Sequence, residues 1–215
     1  MRIRLFAGVL AASLLLAGCV TPGPSGPTDK AAPEPSPSAS ETVAPAPEVL
    51  VVSLDEVTLL NDDDSVAATA SLDDGAAVLA LLGSAFGSTP TGTTNGDGYP
   101  ITSYEWDGLT LNVITDAGAF LSIGAAAQSG ILIRTTDGIA VGALRPEVAA
   151  VADFDPAFDF DGDGASDYLG LEAEVNPDVE SLENPGQPGT DFVMVIFSGD
   201  TATRITSPAS DYGDL

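Results

Sequence analysis

The chain has 215 residues with 32 acids, 6 bases and no histidine, for a net charge of −26. A field of that sign opposes nucleic acid, which needs Lys and Arg to displace its counterions, and favours cationic, neutral or metal-bridged partners, although acidity also serves solubility alone. Without histidine there is no His-dependent triad, His general base or common zinc site, and the single cysteine, Cys19, excludes an internal disulfide.

Arg2 and Arg4 precede an apolar run, Leu5 to Leu16. That run is too short to span a bilayer, which needs about 20 apolar residues, and it has the form of a secretory signal. It ends in Leu16-Ala17-Gly18-Cys19, which resembles the lipobox of bacterial lipoproteins. The resemblance implies that Leu16, Ala17 and Gly18 are recognition positions, that residues 1–18 are removed, and that Cys19 carries the diacyl lipid. The expected location is the extracytoplasmic face of the cell membrane, held by acyl chains such as palmitate. Two chains make a stable anchor where one is marginal.

Residues 19–48 hold eight of the sixteen prolines, among Ser, Ala, Thr and Glu. Such a stretch cannot bury enough apolar surface to offset chain entropy, so it is expected to be a disordered tether reaching on the order of 90 Å. Residues 49–215 are long enough for one domain with its own core. Arg134, Arg145 and Arg204 are their only bases.

In the domain, Val49–Leu54 and Glu56–Leu60 read as strands, and Asn61-Asp62-Asp63-Asp64 as a turn into Val66–Ala70. Asp73 and Asp74 then open a helix running to about Phe86, with acids at the positive end of its dipole. Its apolar residues cover most of the circumference, which predicts burial on more than one side. After a polar loop containing Pro90, Gly92 and Asn95-Gly96-Asp97-Gly98, Ile101–Trp106, Asp107-Gly108 and Leu109–Val113 read as a hairpin. A second turn at Asp116-Ala117-Gly118 leads into Ala119–Ile123. The meander places Leu109, Leu111 and Val113 on one face.

Thr136–Gly142 leads to a shorter helix opened by Arg145-Pro146. Tyr168–Val175 and Phe192–Phe197 read as strands, and Ser198-Gly199-Asp200 turns the chain into Ala202–Thr206. The fold class is therefore α+β, an antiparallel β-rich domain with two helices. Val113-Ile114 with Ile123 matches Val195-Ile196 with Ile205 at an offset of 82, and Val78 matches Val148 at an offset of 70. Two helix-plus-sheet repeats, about 70–135 and 136–207, account for both matches if one copy carries an insertion. This layout resembles secreted lipoproteins of high-GC Gram-positive bacteria. It is more distantly similar to the tandem helix-plus-sheet folds of β-lactamase-inhibitor-type proteins. Those resemblances imply binding through a sheet face or loops, and no catalysis.

One segment carries chemistry: Asp159-Phe160-Asp161-Gly162-Asp163-Gly164-Ala165-Ser166-Asp167. Carboxylates at positions 1, 3, 5 and 9, with Gly at 6 for the turn, aim oxygens at one centre, as a hard cation with about six to eight oxygen ligands requires. Position 12 is Gly170 where a helix-loop-helix calcium site needs Glu, so an EF-hand is excluded. The spacing is similar to the nine-residue calcium loops of integrin-α-type repeats. That resemblance implies Ca²⁺ ligands Asp159, Asp161, Asp163, Asp167 and the Ala165 carbonyl, in a structural role. The alternative is a solvated Asp-Gly turn.

The composition and motifs lead to a lipid-anchored surface protein whose domain binds an envelope protein or another ligand, or serves a structural role. No catalytic residue is assigned. The alternative is a carboxylate-dependent hydrolase of extracellular glycans, for which Glu105 and Asp107 beside Trp106 are the place to look.

Overall fold

In the computed structural model, residues 47–96, 100–182 and 184–212 are described. Among the described residues, period-2 alternation and tight turns produce twelve strands, and two short helices interrupt them. In chain order the elements are β1 (Pro47–Val52), β2 (Glu56–Asn61), β3 (Val66–Ser71), α1 (Gly75–Ala85), β4 (Thr93–Asn95), β5 (Ile101–Trp106), β6 (Leu109–Ile114) and β7 (Gly118–Ile123). They continue as β8 (Ala127–Gln128), β9 (Ile131–Thr135), α2 (Arg145–Ala149), β10 (Tyr168–Glu180), β11 (Pro188–Ser198) and β12 (Thr201–Ser210). The α+β, antiparallel β-rich class read from the sequence is the architecture observed.

The strands form two sheets. One has the order β3-β2-β1-β9-β8, and the other β10-β11-β12-β7-β6-β5-β4. Pairing is antiparallel throughout, except that β1 and β9 run parallel with Leu50 opposite Ile133. β1 begins at Pro47, opposite Asn61, so ordered pairing starts inside the stretch assigned to the tether.

Alternation puts Leu50, Val52, Val57 and Leu59 of the first sheet and Leu109, Leu111, Leu121, Ile123, Val193, Val195 and Ile205 of the second into one buried cluster. α1 closes it with Val78, Leu81 and Leu82, and α2 with Val148. Asp74 caps α1, its carboxylate accepting the Ala77 N–H at 3.0 Å. Glycine suits the first position of α1 because a Cβ on Gly75 would lie 2.7 Å from Val113 Cγ1. Ala76, Ala80 and Ser84 stay exposed, so the helix keeps one solvent face despite its apolar sequence. Polar ties also join the sheets. Glu172 Oε2 accepts the Leu54 N–H at 2.9 Å, and the Ser207 hydroxyl donates to the Ser53 carbonyl at 2.6 Å.

The second sheet is built from two meanders, each preceded by a helix, that join where β7 meets β12. Leu121 lies opposite Ser207, Ser122 opposite Thr206 and Ile123 opposite Ile205. A shift of 84 positions, 121 to 205 and 123 to 207, exchanges the outer two pairs and maps Ser122–Thr206 onto itself. The same shift takes the Leu111–Leu121 pair onto Val195–Ile205. The strand registers thus set the offset at 84 where the sequence match gave 82. A two-residue difference keeps every side chain on its own face, which is why the apolar pattern still matched.

Candidate functional site

The acidic segment between α2 and β10 closes on itself through its own carboxylates. Asp159 Oδ1 accepts the N–H groups of Gly162 at 2.7 Å and Asp163 at 3.1 Å, and its Oδ2 accepts that of Gly164 at 2.9 Å. Asp161 accepts the Asp163 N–H at 3.1 Å, and Asp163 accepts the Ala165 N–H at 2.8 Å. Gly162 and Gly164 have φ of 78° and 87°, a left-handed geometry that a side chain resists. Asp159, Asp161 and Asp163 can each offer an oxygen within 4.8 Å of the others, and all three are exposed. Asp167 is not in that group. Its Oδ2 accepts the Phe160 N–H at 2.6 Å and its carbonyl accepts the Phe197 N–H at 2.8 Å, which ties the loop exit to β11. Such a set of hard oxygen donors suits Ca²⁺ better than a soft metal.

Side chains around the loop hold it in place. Arg145 at the start of α2 donates through Nη1 to the Ser166 carbonyl and through Nη2 to the Gly199 carbonyl at 2.7 Å. Its guanidinium stands 4.2 Å from the Phe197 ring centroid. Upstream, Phe154 packs on Phe192 with 4.7 Å between centroids, and Phe158 on Tyr168 with 5.9 Å. Tyr168 and Phe192 belong to a second buried cluster with Met194 and Ala209, against which Phe154 packs, while Phe158 stays exposed at its edge. The cluster lies on the face of the seven-stranded sheet opposite the main core, since Met194 alternates with Val193 and Val195.

That outer face continues from the second cluster into a groove of about 620 Å³. Ile114, Phe120, Met194, Ile196 and Pro208 supply apolar lining, with the hydroxyl side chains of Ser122 and Thr206 among them. Asp191 and Arg204 are its charged residues. The strands contributing most of the lining, β6, β7, β11 and β12, are interior to the sheet, but β7 and β12 pair only over Leu121–Ile123 and Ile205–Ser207, so Phe120 and Pro208–Ser210 line the groove beyond the paired stretch. Its volume lies in the range of about 300–1,000 Å³ typical of sites for small organic ligands.

A smaller cavity of about 200 Å³ adjoins the groove, sharing Ala117, Ala119, Asp191 and Pro208 with it. Asp55, Asp73 and Glu174 complete its acidic lining. Among the described residues the one ion pair is Arg145–Asp200, at 3.5 Å, so none of these four carboxylates is neutralised. Asp191 accepts the Tyr212 hydroxyl at 2.5 Å and the Asn176 amide at 3.3 Å. Burial, reinforced by that bond to Asp191, raises the Tyr212 phenol above the ordinary tyrosine value. The sequence reading did not single out this region, although the unbroken apolar run Phe192–Phe197 is what a strand covered on both faces looks like.

The acid pair suggested for hydrolysis has a different setting. Glu105 and Asp107 are exposed beside a hairpin turn. Trp106 between them packs edge-on against Phe86 at 5.6 Å, and its indole N–H donates to the Ser88 carbonyl at 3.0 Å. It is a packing residue. Leu16, Ala17, Gly18 and Cys19 lie outside the described residues. Among the described residues no helix is long and apolar enough to cross a membrane.

No protein-family profile matches the chain, and neither curated proteins nor solved structures give a match.

Proposed function

We propose that this protein is a lipid-anchored, extracytoplasmic binding module that takes its ligand in the outer groove of the seven-stranded sheet. The groove carries the reading: an apolar concavity of about 620 Å³ with few polar groups, on the sheet face turned away from the main core, is the default location for a ligand. The lipobox at Cys19 supplies the anchor, and the Pro-rich stretch before β1, residues 19–46, the reach. Calcium at Asp159, Asp161 and Asp163 has a structural part, stiffening the segment whose Phe154 and Phe158 cover the neighbouring cluster.

Hydrolysis of glycans is the weaker reading. It needs two carboxylates across a cleft that holds a sugar, and the acidic cavity is small and has no aromatic residue in its lining. The groove itself contains a single carboxylate, Asp191.

Binding of N-phenyl-1-naphthylamine, a neutral apolar fluorophore, tests the groove. Saturable fluorescence enhancement is expected, and Ile196→Asp or Phe120→Asp, from two different strands, should abolish it while leaving the circular dichroism spectrum unchanged. Enhancement that persists in both folded variants would place the apolar site elsewhere. The anchor is tested separately: membrane-associated chain should become soluble with Cys19→Ser.

A further inference from the structure

We infer that the ligand class is a cationic amphiphile: an apolar chain lying in the groove, with a protonated amine or quaternary ammonium head in the adjoining acidic cavity. The inference rests on the groove being the binding surface and adds the chemistry of what fills it. Two observations carry it together. The apolar groove is continuous with the cavity through shared residues, Asp191 and Pro208 among them, and that cavity is lined by Asp55, Asp73, Glu174 and Asp191. The carboxylates of Asp55, Asp73 and Glu174 make no hydrogen bond or ion pair with any described residue, whereas Asp191 is held by Tyr212 and Asn176.

Four carboxylates, none of them ion-paired, brought around one cavity from four separate segments repel one another, and a single cation seated among them relieves several of those repulsions at once. The field of the whole chain, at a net charge of −26, acts in the same direction and steers cations toward the surface. A hydrocarbon chain suits the other half of the site. A methylene chain loses nothing polar on entering the apolar lining of Ile114, Phe120, Met194, Ile196 and Pro208, and each CH₂ it buries favours binding. Arg204, exposed on the groove wall, disfavours a cation at that end and so helps to set the direction of the ligand.

The test compares three probes of one chain length, decylammonium, decanol and decanoate, each below its micelle concentration. They are titrated calorimetrically into the whole chain carrying Cys19→Ser, so that no acyl group of its own competes. Decylammonium should bind roughly tenfold more tightly than decanol, and decanoate more weakly than either. The Asp73→Asn/Glu174→Gln double variant should bring decylammonium to the level of decanol. Ile196→Asp, or Phe120→Asp, should remove binding of all three. Decanoate binding as tightly as decylammonium would overturn the cationic class while leaving the groove as the site. Decylammonium binding that survives both groove variants would be loose association with an acidic surface, and overturns the inference. If none of the three binds while N-phenyl-1-naphthylamine does, the amphiphile fails and the groove reading stands. If none of the four binds, both fall.

Discussion

Ile205 lies directly opposite Ile123, at the seam where the two meanders of the large sheet meet. Both side chains are almost completely buried in the main cluster. This seam is also the local two-fold centre of the sheet, and the groove lies across it on the opposite face, with Ser122 and Thr206 in its lining. Ile205→Ala should therefore cost about 2–5 kcal/mol and Ile205→Val about 0.5–1.5 kcal/mol, read from urea unfolding. If the two meanders fold as one unit, both variants should keep the parental m-value. An Ile205→Ala cost below about 1 kcal/mol would mean that the seam is less tightly packed than its burial implies.

Arg145 joins three pieces of chain: the start of α2, the exit of the acidic loop at Ser166 and the β11–β12 turn at Gly199. Its Nε has no hydrogen-bond partner, and its contact with Asp200, a residue whose side chain is 85% exposed, is 3.5 Å long. The carbonyls and the Phe197 ring thus do more than the ion pair. Arg145→Met should destabilise by about 1–3 kcal/mol and speed hydrogen exchange at residues 159–167, whereas Asp200→Asn should change stability by less than about 0.5 kcal/mol. Equal costs for the two variants would assign the effect to the ion pair instead.

Local patterning made most elements legible. Asp107-Gly108 and Asp116-Ala117-Gly118 sit at the observed turns, Asp74 caps α1, and the alternation of Leu109 and Leu111 faces the core. β4 escaped notice because Thr93–Asn95 is polar and short, as did β8, Ala127–Gln128, for its two residues; β9 was passed over although Ser129-Gly130 and Asp137-Gly138 bracket Ile131–Thr135 as turn signals. The parallel pairing of β9 with β1 joins Leu50 to Ile133, and nothing local specifies so distant a contact. Glu172, at a φ of 53° beside a break in the β10–β11 register, belongs to the same class: its geometry follows from the partner it meets at Leu54. The Asp159–Asp163 cluster was readable because one short segment holds all of it. The groove was not, because its lining comes from four strands that only the sheet order brings together.

Calcium should act on stability through that segment. If the loop binds with a dissociation constant of about 10⁻⁴ M, 1 mM Ca²⁺ adds about 1.4 kcal/mol by mass action. The melting temperature should then rise by a few degrees in calcium and not in the same concentration of Mg²⁺, which accepts such loops less readily. Asp161→Ala/Asp163→Ala should erase the calcium effect. A parent protein that shows no heat of binding and no thermal shift at several millimolar Ca²⁺ would leave the segment as a solvated Asp-Gly turn.

Asp63 and Tyr212 shift in opposite directions, so their contributions fade at opposite ends of the pH range. The Ser65 hydroxyl and N–H hold the exposed Asp63 carboxyl below its ordinary value, so its contribution is present above the unfolded value and fades as pH falls through the lowered one. Because Asp63 is fully exposed, Asp63→Asn should alter the acid limb little. Tyr212 behaves in the reverse sense. Burial and its bond to Asp191 raise the phenol, so its contribution is complete below the unfolded value of about 10 and is lost as pH climbs through the raised one. Tyr212→Phe should remove that alkaline loss and leave Asp191 held by Asn176 alone. Absorbance at 295 nm, compared between parent and variant, should assign to Tyr212 a component titrating above 10. If the missing component instead titrates at 10 or below, the Tyr212–Asp191 contact is not holding the proton, and Asp191 faces the groove with its charge unshared.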